Sequence, residues 1–263
     1  MRLDVLLLER GMVESRSLAQ RLVMAGQVRV NGEVELKPST KVLKDAELAV
    51  NQGPRFVSRG GDKLLAALEA FGLTELHSEI CADLGASTGG FTDCLLQHGA
   101  GHVFAVDVGY GELHWKLRND PRVTVMERTN ARNVRGFPSS VSLVTIDASF
   151  ISLKILLPAV ASWFEGRSGR AVALIKPQFE AGRKDAAKGE GVIRDPAVHR
   201  QVLVEVLNHA QDLGFGVMGL IRSPLLGPKG NAEFLAHCVW QGEKNTNLEE
   251  MIQKVVGNEP PVG

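Results

Sequence analysis

The sequence predicts a doubly wound α/β sheet preceded by a small α+β domain. Short apolar runs alternate with amphipathic helical patterns over most of the 263 residues, which is typical of parallel strands joined by helices. A glycine-rich turn at residues 85–90 follows one such run and opens a helix. The first module differs, because two helical patterns are followed there by apolar-polar alternation around Asn31-Gly32.

The sheet of the larger module is built from short apolar runs, several of which end at an acid or a lysine. The expected strands are residues 80–84, 103–108, 123–126, 143–147, 171–176, 215–221 and 234–240. The expected helices between them are residues 92–97, 153–163 and 198–213. Ligands of such a sheet lie beyond the carboxyl ends of its strands, so polar residues at those ends are the first candidates for a site.

The small module combines two helices with a small sheet. Leucines at helical spacing predict a first helix, and Ser15 is placed to cap a second one that stops near Gly26. Alternation on both sides of Asn31-Gly32 predicts a hairpin, and a closing strand is expected within residues 42–50.

Breaks in these patterns divide the chain. Glycine and proline interrupt it at residues 51–54, and a second glycine pair does so at residues 58–61. An amphipathic helix is then expected to begin at Lys63. The expected organisation is a small domain at residues 1–52, a linker at 53–62, a large domain at 63–242 and a polar tail at 243–263.

Composition narrows the class of protein. The formal net charge is +0, so any basic surface that meets nucleic acid must be local. The three cysteines lie far apart without a C-x-x-C spacing, which argues against a disulfide framework and against a metal site. No signal-peptide pattern and no apolar run of membrane-spanning length occur, so we expect a cytoplasmic protein without a membrane partner. The sequence indicates no particular oligomeric state.

The glycine turn is not one of the two common nucleotide-binding loops. A dinucleotide fingerprint needs glycine where Ser87 stands, and no G-K-[S/T] of a P-loop follows. Asp107 follows Gly85 at about the interval at which such folds place an acid for ribose hydroxyls, and one carboxylate can accept from both hydroxyls. The turn has no phosphate-binding lysine, which favours a sulfonium cofactor over ATP.

The run Asp83-Leu84-Gly85-x-x-x-Gly89-Gly90-Phe91 resembles the first motif of the class I (Rossmann-like) methyltransferases. That resemblance implies S-adenosylmethionine as the cofactor, with Asp83 and the turn at its methionine part and Asn130 near its adenine. The expected cofactor-binding residues are Asp83, Gly85, Ser87, Thr88, Gly89, Gly90, Phe91, Asp107 and Asn130.

Four polar residues near the ends of these elements, Lys63, Asp147, Lys176 and Glu233, follow the order lysine, aspartate, lysine, glutamate. This order resembles that of the FtsJ-like ribose 2′-O-methyltransferases. Methyl transfer to a hydroxyl needs alignment and a route for the proton, and a lysine amine can orient the hydroxyl or accept its proton. We assign that catalytic role to Lys176, positioned by the acids, with no metal. Phe150 could stack on a flipped base, although an aromatic after a strand packs in a core more often.

The first module resembles the alpha-L RNA-binding module in its runs ERG (9–11), SR (15–16) and AGQVRVNG (25–32). The resemblance implies that its second helix and hairpin contact RNA through phosphate and shape. The expected RNA-binding residues are Arg10, Arg16, Arg21 and Arg29. An ordinary solvated face is the alternative, since several glutamates keep the module only slightly basic.

As a whole the chain resembles the TlyA family, whose members were named hemolysins and were later recognised as ribosomal RNA 2′-O-methyltransferases. The matching runs are SRGGDKL (58–64), GASTGGFT (85–92), DVGYGEL (107–113), ERTNAR (127–132), SFISL (149–153), KPQFE (176–180) and GPKGN (227–231). The resemblance implies cytidine 2′-O-methylation in ribosomal RNA, with large-subunit RNA favoured and a ribosomal subunit as partner. Glu112 departs from the family pattern, since it stands where glutamine is usual.

Four other functions stay open at this point. They are an RNA base N-methyltransferase, a nicotinamide-dependent oxidoreductase on the same fold class, an RNA-binding protein with an inactive catalytic module, and a membrane-lytic hemolysin. The absence of an apolar span and of a cationic amphipathic segment argues against the last. Nucleoside analysis of a methylated product separates ribose from base methylation.

Overall fold

The computed structural model describes residues 1–51, 53–181 and 191–257. Residue 52 and residues 258–263, at the ends of the expected small domain and polar tail, lie outside the described residues. The chain divides into two compact units, Met1–Arg55 and Phe56–Gly263. Each unit has a hydrophobic core of its own.

The first unit packs two helices on a three-stranded antiparallel sheet. Its elements are α1 (Leu3–Glu9), α2 (Arg16–Met24), β1 (Val28–Val30), β2 (Glu33–Val34) and β3 (Leu48–Val50), with strand order β2-β1-β3. Ser15 caps α2 as predicted, because its hydroxyl accepts a hydrogen bond from Leu18 N at 3.2 Å. Asn31 and Gly32 both have positive φ angles, 51° and 86°, which suits the tight two-residue hairpin turn.

The second unit is a seven-stranded sheet with helices on both faces. Its strands are β4 (Ile80–Leu84), β5 (His102–Val106), β6 (Val123–Met126), β7 (Leu143–Ile146), β8 (Arg170–Ile175), β9 (Phe215–Arg222) and β10 (Phe234–Trp240). They lie in the order β6-β5-β4-β7-β8-β10-β9. β10 runs antiparallel to both of its neighbours, β8 and β9, and the other pairs of neighbouring strands are parallel. The predicted doubly wound α/β fold is confirmed.

Helices cover this sheet on two sides. They are α3 (Gly60–Phe71), α4 (Gly90–Gln97), α5 (Trp115–Arg118), α6 (Leu153–Trp163), α7 (Pro177–Glu180), α8 (Pro196–Asp212) and α9 (Leu248–Gly257). Successive residues of a strand serve opposite faces: Cys81 packs with α3 and α4, whereas Ala82 packs in the core beneath α6, α8 and α9. Both faces are therefore buried, as a parallel sheet requires.

Helix α3 begins earlier than the sequence indicates. Gly60 and Gly61, expected in the linker, form its first turn. The second glycine is there for space, since a Cβ on Gly61 would lie 2.2 Å from Cγ of the buried Phe56. From the sequence alone, a glycine pair predicts a break between elements. Here the same pair lies inside a helix and allows close packing.

The expected polar tail contains helix α9, which belongs to the core. Leu248, Ile252, Val255 and Val256 are buried on one face of this helix, and it packs against α8 and β9. Glutamates and a lysine on the opposite face of α9 give the segment its polar composition. For this reason the helical spacing of its apolar residues is not apparent from composition. Among the residues that the structure describes, no helix is both long and apolar enough to cross a membrane.

The packing of α3 predicts opposite outcomes for its two first-turn glycines. Gly61→Ala should lower the free energy of unfolding by about 1–3 kcal/mol, because its methyl group must displace Phe56. Gly60→Ala is the matched control: the nearest atom to its Cβ would be 3.5 Å away, and alanine is the better helix former. Urea unfolding measures both, and equal effects would contradict this account of α3.

Candidate active site

The glycine turn lies between the end of β4 and the start of α4, and its backbone requires glycine at two points. Gly85 and Gly89 have φ angles of 81° and 95°, in the left-handed region. A Cβ on Gly85 would lie 2.7 Å from the carbonyl oxygen of Asp147, the residue that follows β7. The turn and the end of β7 are therefore in backbone contact.

Asp107 follows β5 and fixes the shape of the turn. Its Oδ2 accepts a hydrogen bond from Ser87 N at 2.7 Å, and its Oδ1 accepts one from Gly109 N at 2.7 Å. Ser87 itself has a φ of 47°, which is uncommon for a residue with a side chain. The carboxylate is half-buried, so it also faces the space beside the turn.

Two cavities meet at the turn. The larger, about 790 Å³, runs from Gly85 past Asp107 to Asn130, within the range of small-molecule sites. The smaller, about 220 Å³, lies on the side of Lys63 and is also lined by Thr88, Gly90 and Phe91. Gly85, Ser87 and Asp147 line both cavities. A ligand in the larger cavity therefore reaches a second chamber at this junction.

Most of the expected cofactor-binding residues line one of these cavities, whereas Gly89 and Asp83 line neither. For Asp83 the reason is burial. Its side chain is fully buried, where Thr92 Oγ1 donates to it at 2.7 Å and Thr145 Oγ1 at 3.1 Å. Burial raises the pKa of Asp83 to about 7, against the opposing effect of these hydrogen bonds. In this structure the side chain of Asp83 joins β4, β7 and α4 through these hydrogen bonds.

The four expected catalytic residues lie at one edge of the sheet. Asp147 follows β7 and Lys176 follows β8, its parallel neighbour. Glu233 precedes β10, which is antiparallel to β8, and the pairing of Phe234 with Ile175 places Glu233 beside Lys176. Lys63 reaches the same edge from α3 and bonds to Glu233.

These residues form two buried or half-buried ion pairs. Lys63 Nζ lies 2.5 Å from Glu233 Oε2, and Lys176 Nζ lies 2.5 Å from Asp147 Oδ1. Lys176 also donates to Ser149 Oγ at 2.9 Å and, more weakly, to the carbonyl oxygen of Asp147 at 3.5 Å. Oε1 of Glu233 is buried and has no hydrogen-bond partner among the described residues. The acids therefore hold both amines in place, and one strong acceptor stays unused.

Glu180 is a contributor that the sequence did not single out. Its Oε2 accepts from Ser152 Oγ at 2.5 Å and its Oε1 accepts from Leu153 N at 2.7 Å, so it binds the start of α6. Burial raises the pKa of Glu180, while these two hydrogen bonds act in the opposite direction. The loop after β7 is thereby tied to the segment after β8, beyond the Lys176–Asp147 pair.

The aromatic side chains of these two segments also meet. The rings of Phe150 and Phe179 are 4.9 Å apart, and Phe150 is 91% exposed. Phe150 holds a left-handed backbone, with a φ of 63°. The more common fate of an aromatic after a strand, burial in a core, does not apply to it.

The expected RNA-binding arginines lie on the surface of the first unit, and three of the four make hydrogen bonds within it. Arg10 donates to the carbonyl oxygens of Ala46 and Lys44, and Arg29 donates to that of Gly32. Arg16 binds the buried carboxylate of Asp4, and Arg21 is exposed on α2.

Asp4 is the organising residue that the sequence left unnoticed in this unit. It accepts from Arg2, Arg16 and Gln20 at 2.9–3.1 Å. The hydrogen bonds from Arg2 hold the pKa of Asp4 well below its usual range. An acid in the first turn of a helix gave no sign of this, because two of its three partners, Arg16 and Gln20, lie on α2.

The raised pKa of Asp83 predicts a pH dependence of stability. A carboxyl with a folded pKa of about 7 contributes stability that is present below its ordinary value and lost as pH rises through 7. Asp83→Asn cannot ionise, so it should gain on the wild type as pH rises from about 4 to 7, at about 1.4 kcal/mol for each pH unit, and the gain should level off above pH 7.

Urea unfolding at a series of pH values measures this difference. Asp62→Asn, at an exposed position of α3, is the control and should follow the wild type. Parallel curves for Asp83→Asn and the wild type would show that Asp83 does not titrate in this range.

Comparison with known proteins agrees with this architecture. The FtsJ-like methyltransferase family matches residues 56–239, and the S4 domain family matches residues 1–48. The rRNA methyltransferase candidate YqxC of Bacillus subtilis is 47% identical over 97% of the chain and 92% of its own length. The 16S/23S rRNA (cytidine-2′-O)-methyltransferase TlyA of Mycobacterium tuberculosis is 42% identical over 98% of both.

A solved structure from Streptococcus thermophilus, named as a hemolysin candidate, is also similar. It is 45% identical, covers 97% of this chain and 95% of its own, and superposes with a TM-score of 0.70. The two family matches occur in the same order as the two structural units. The chain belongs to the TlyA family, in which an S4 domain precedes an FtsJ-like methyltransferase domain.

Proposed function

We propose that the protein transfers a methyl group from S-adenosylmethionine to the 2′-hydroxyl of a cytidine ribose in ribosomal RNA. The observation that carries the proposal is the meeting of two lysine–acid pairs, Lys63–Glu233 and Lys176–Asp147, beside the glycine turn. Relatives at 42% identity, named as rRNA (cytidine-2′-O)-methyltransferases, support the substrate class. Large-subunit RNA is the favoured substrate, and a small-subunit site is the alternative.

The chain's own residues fit an adenosine-type sulfonium ligand in the larger cavity. Asp107 offers acceptors for ribose hydroxyls, and Asn130 lies at the far end, where an adenine would reach. The turn presents backbone of Gly85 and Ser87 where the methionine part would lie, and it carries no phosphate-binding lysine. When bound, S-adenosylmethionine supplies an electrophilic methyl group to a nucleophilic oxygen.

The chemistry left to the protein is alignment and proton handling. The weakest hydrogen bond of Lys176 is the 3.5 Å contact with the carbonyl oxygen of Asp147. A ribose oxygen can replace this carbonyl oxygen as the acceptor most easily. The Lys176 amine, held by Asp147, donates a hydrogen bond that orients the hydroxyl oxygen. As the new O–C bond forms, the O–H bond of the hydroxyl breaks. Its proton passes to Lys176, and Lys176 passes one of its own protons to the Asp147 carboxylate.

Lys63 and Glu233 complete the chamber from the other side. Glu233 holds the Lys63 amine with one oxygen and keeps the other oxygen as a buried acceptor. A buried acceptor without a donor is costly, so a hydroxyl of the substrate sugar would relieve it. Holding the reacting atoms in line can supply much of the rate enhancement, by analogy with effective molarities worth roughly 7–11 kcal/mol.

Recognition of the RNA is divided between the two units in this proposal. The S4 domain, within residues 1–52, contributes Arg10, Arg16, Arg21 and Arg29 as phosphate contacts. The methyltransferase domain receives the target nucleotide, and Phe150 provides a stacking surface for its base. A ribosomal subunit as the partner implies action in the cytoplasm.

The direct test maps 2′-O-methyl groups in ribosomal RNA from cells that carry or lack the protein. We expect one or a few cytidines to lose the modification, and Lys176→Ala should fail to restore it while still binding S-adenosylmethionine. Lys154→Ala, at a surface lysine paired with Glu205, is the control and should restore the modification fully.

Each contrary outcome of this test has a definite meaning. If nucleoside analysis found the methyl groups on bases, the assigned reaction would be base N-methylation and not ribose methylation. Full activity of Lys176→Ala would remove that residue from the reaction. An unchanged methylation map would contradict the proposed function.

Phe150→Ala should separate RNA recognition from cofactor binding. Loss of the stacking surface is expected to lower kcat/KM for RNA by about tenfold or more, as base–aromatic stacking contributes roughly 1–3 kcal/mol. The melting temperature should stay at the wild-type value, because the ring is 91% exposed. Affinity for S-adenosylmethionine should change less than kcat/KM for RNA, although Phe150 is one of the residues that line the larger cavity. Met218→Ala, at an exposed apolar side chain of the methyltransferase domain that lines neither cavity, is the comparison and should keep the wild-type kcat/KM.

A further inference from the structure

We propose that Glu112 is a second ribose-binding carboxylate, so that Asp107 and Glu112 accept one hydroxyl each from the cofactor ribose. The sequence suggested that Asp107 alone accepts both. This inference rests on the proposed use of S-adenosylmethionine and specifies how its ribose is recognised.

One carboxylate oxygen of Asp107 and one of Glu112 approach the same position beside Gly109. Glu112 and Asp107 both line the larger cavity. At Gly109, the position that a Cβ would occupy lies 2.7 Å from Glu112 Oε1 and 3.1 Å from Asp107 Oδ1. Both oxygens therefore lie within hydrogen-bonding distance of one position beside the Gly109 backbone.

The carboxylates of Asp107 and Glu112 differ in the hydrogen bonds that they already accept. Both oxygens of Asp107 already accept a backbone N–H, from Ser87 and from Gly109. Glu112 accepts from Ser87 Oγ through Oε2 at 3.1 Å, whereas its Oε1 has no hydrogen bond within the part of the chain that the structure describes. Ser87 thus holds Glu112 in place and leaves one of its oxygens for a ligand.

The chemistry of the pair selects the kind of ligand. Ionised carboxylates only accept hydrogen bonds, and two of them facing one point repel each other and any phosphate. A ligand with two neighbouring hydroxyl donors satisfies both groups at once. A ribose with free 2′- and 3′-hydroxyls has this arrangement, and a ribose phosphorylated at either of these two oxygens does not.

A different role for Glu112 must be distinguished from ribose binding. Glu112 also holds Ser87, a residue with a left-handed backbone in the glycine turn. Substitution could therefore weaken any cofactor indirectly by loosening the turn. A loss that depends on the ligand's own hydroxyls separates the two roles.

The test measures binding of three ligands to the full chain by titration calorimetry. The ligands are S-adenosylhomocysteine and its 2′-deoxy and 3′-deoxy analogues, and the proteins are wild type, Glu112→Ala and Glu112→Gln. Glu69→Ala, at an exposed acid of α3, is the matched control and should bind all three ligands like the wild type.

Glu112→Ala is expected to weaken the binding of S-adenosylhomocysteine by about tenfold or more. For the deoxy analogue that lacks the hydroxyl bound by Glu112, the variant and the wild type should have the same affinity. Glu112→Gln keeps an acceptor oxygen and should show a smaller loss. An equal loss for all three ligands, or no loss for any, would overturn the ribose contact. Failure of the wild type to bind S-adenosylhomocysteine at all would instead contradict the proposed function.

Discussion

The close approach of the Gly85 turn to the end of β7 is the constraint on which the site depends. Only a residue without a side chain lets the carbonyl of Asp147 pass where a Cβ would lie 2.7 Å away. The same approach is supported from below, since Asp147 N donates to Leu84 O at 2.9 Å. Because the turn and this strand end are in contact, a ligand on the turn lies next to Asp147 and its partner Lys176.

Two lysine–acid ion pairs hold the charged side chains of the site in place. A buried or half-buried lysine is costly unless a carboxylate accompanies it, and each amine here has its own acid. Each pair combines one lysine with one acid, so neither amine is left without a counter-charge. The pairs also fix both amines, which is what positioning of a sugar hydroxyl requires.

Sequence reasoning located the site because strand ends are visible in a sequence. An apolar run that stops at Asp107, Asp147 or Lys176 marks the carboxyl edge of a parallel sheet, where side chains from distant segments meet. Whether an acid near a strand end faces the ligand or the interior depends on the alternation along the strand. Asp83, one residue before the end of β4, faces Thr92 and Thr145 instead.

Other contributors could not be predicted, for a physical reason that they share. Glu180, Glu112 and Asp4 act through hydrogen bonds to segments 12 to 28 residues away, and no local pattern records such contacts. Gly61 was placed in the linker by its sequence pattern but lies in α3, because glycine occurs both at chain breaks and at sites of tight packing. The fold class and the strand-end residues were thus accessible from the sequence, whereas the contacts that orient them were not.

A crystal structure of the protein with S-adenosylhomocysteine tests the central claim most directly. We expect the adenosine in the larger cavity and the sulfur at the junction lined by Gly85, Ser87 and Asp147, facing the chamber that holds Lys63. A sulfur atom that points away from the two lysine–acid pairs would leave no path from cofactor to sugar. That result would contradict the account.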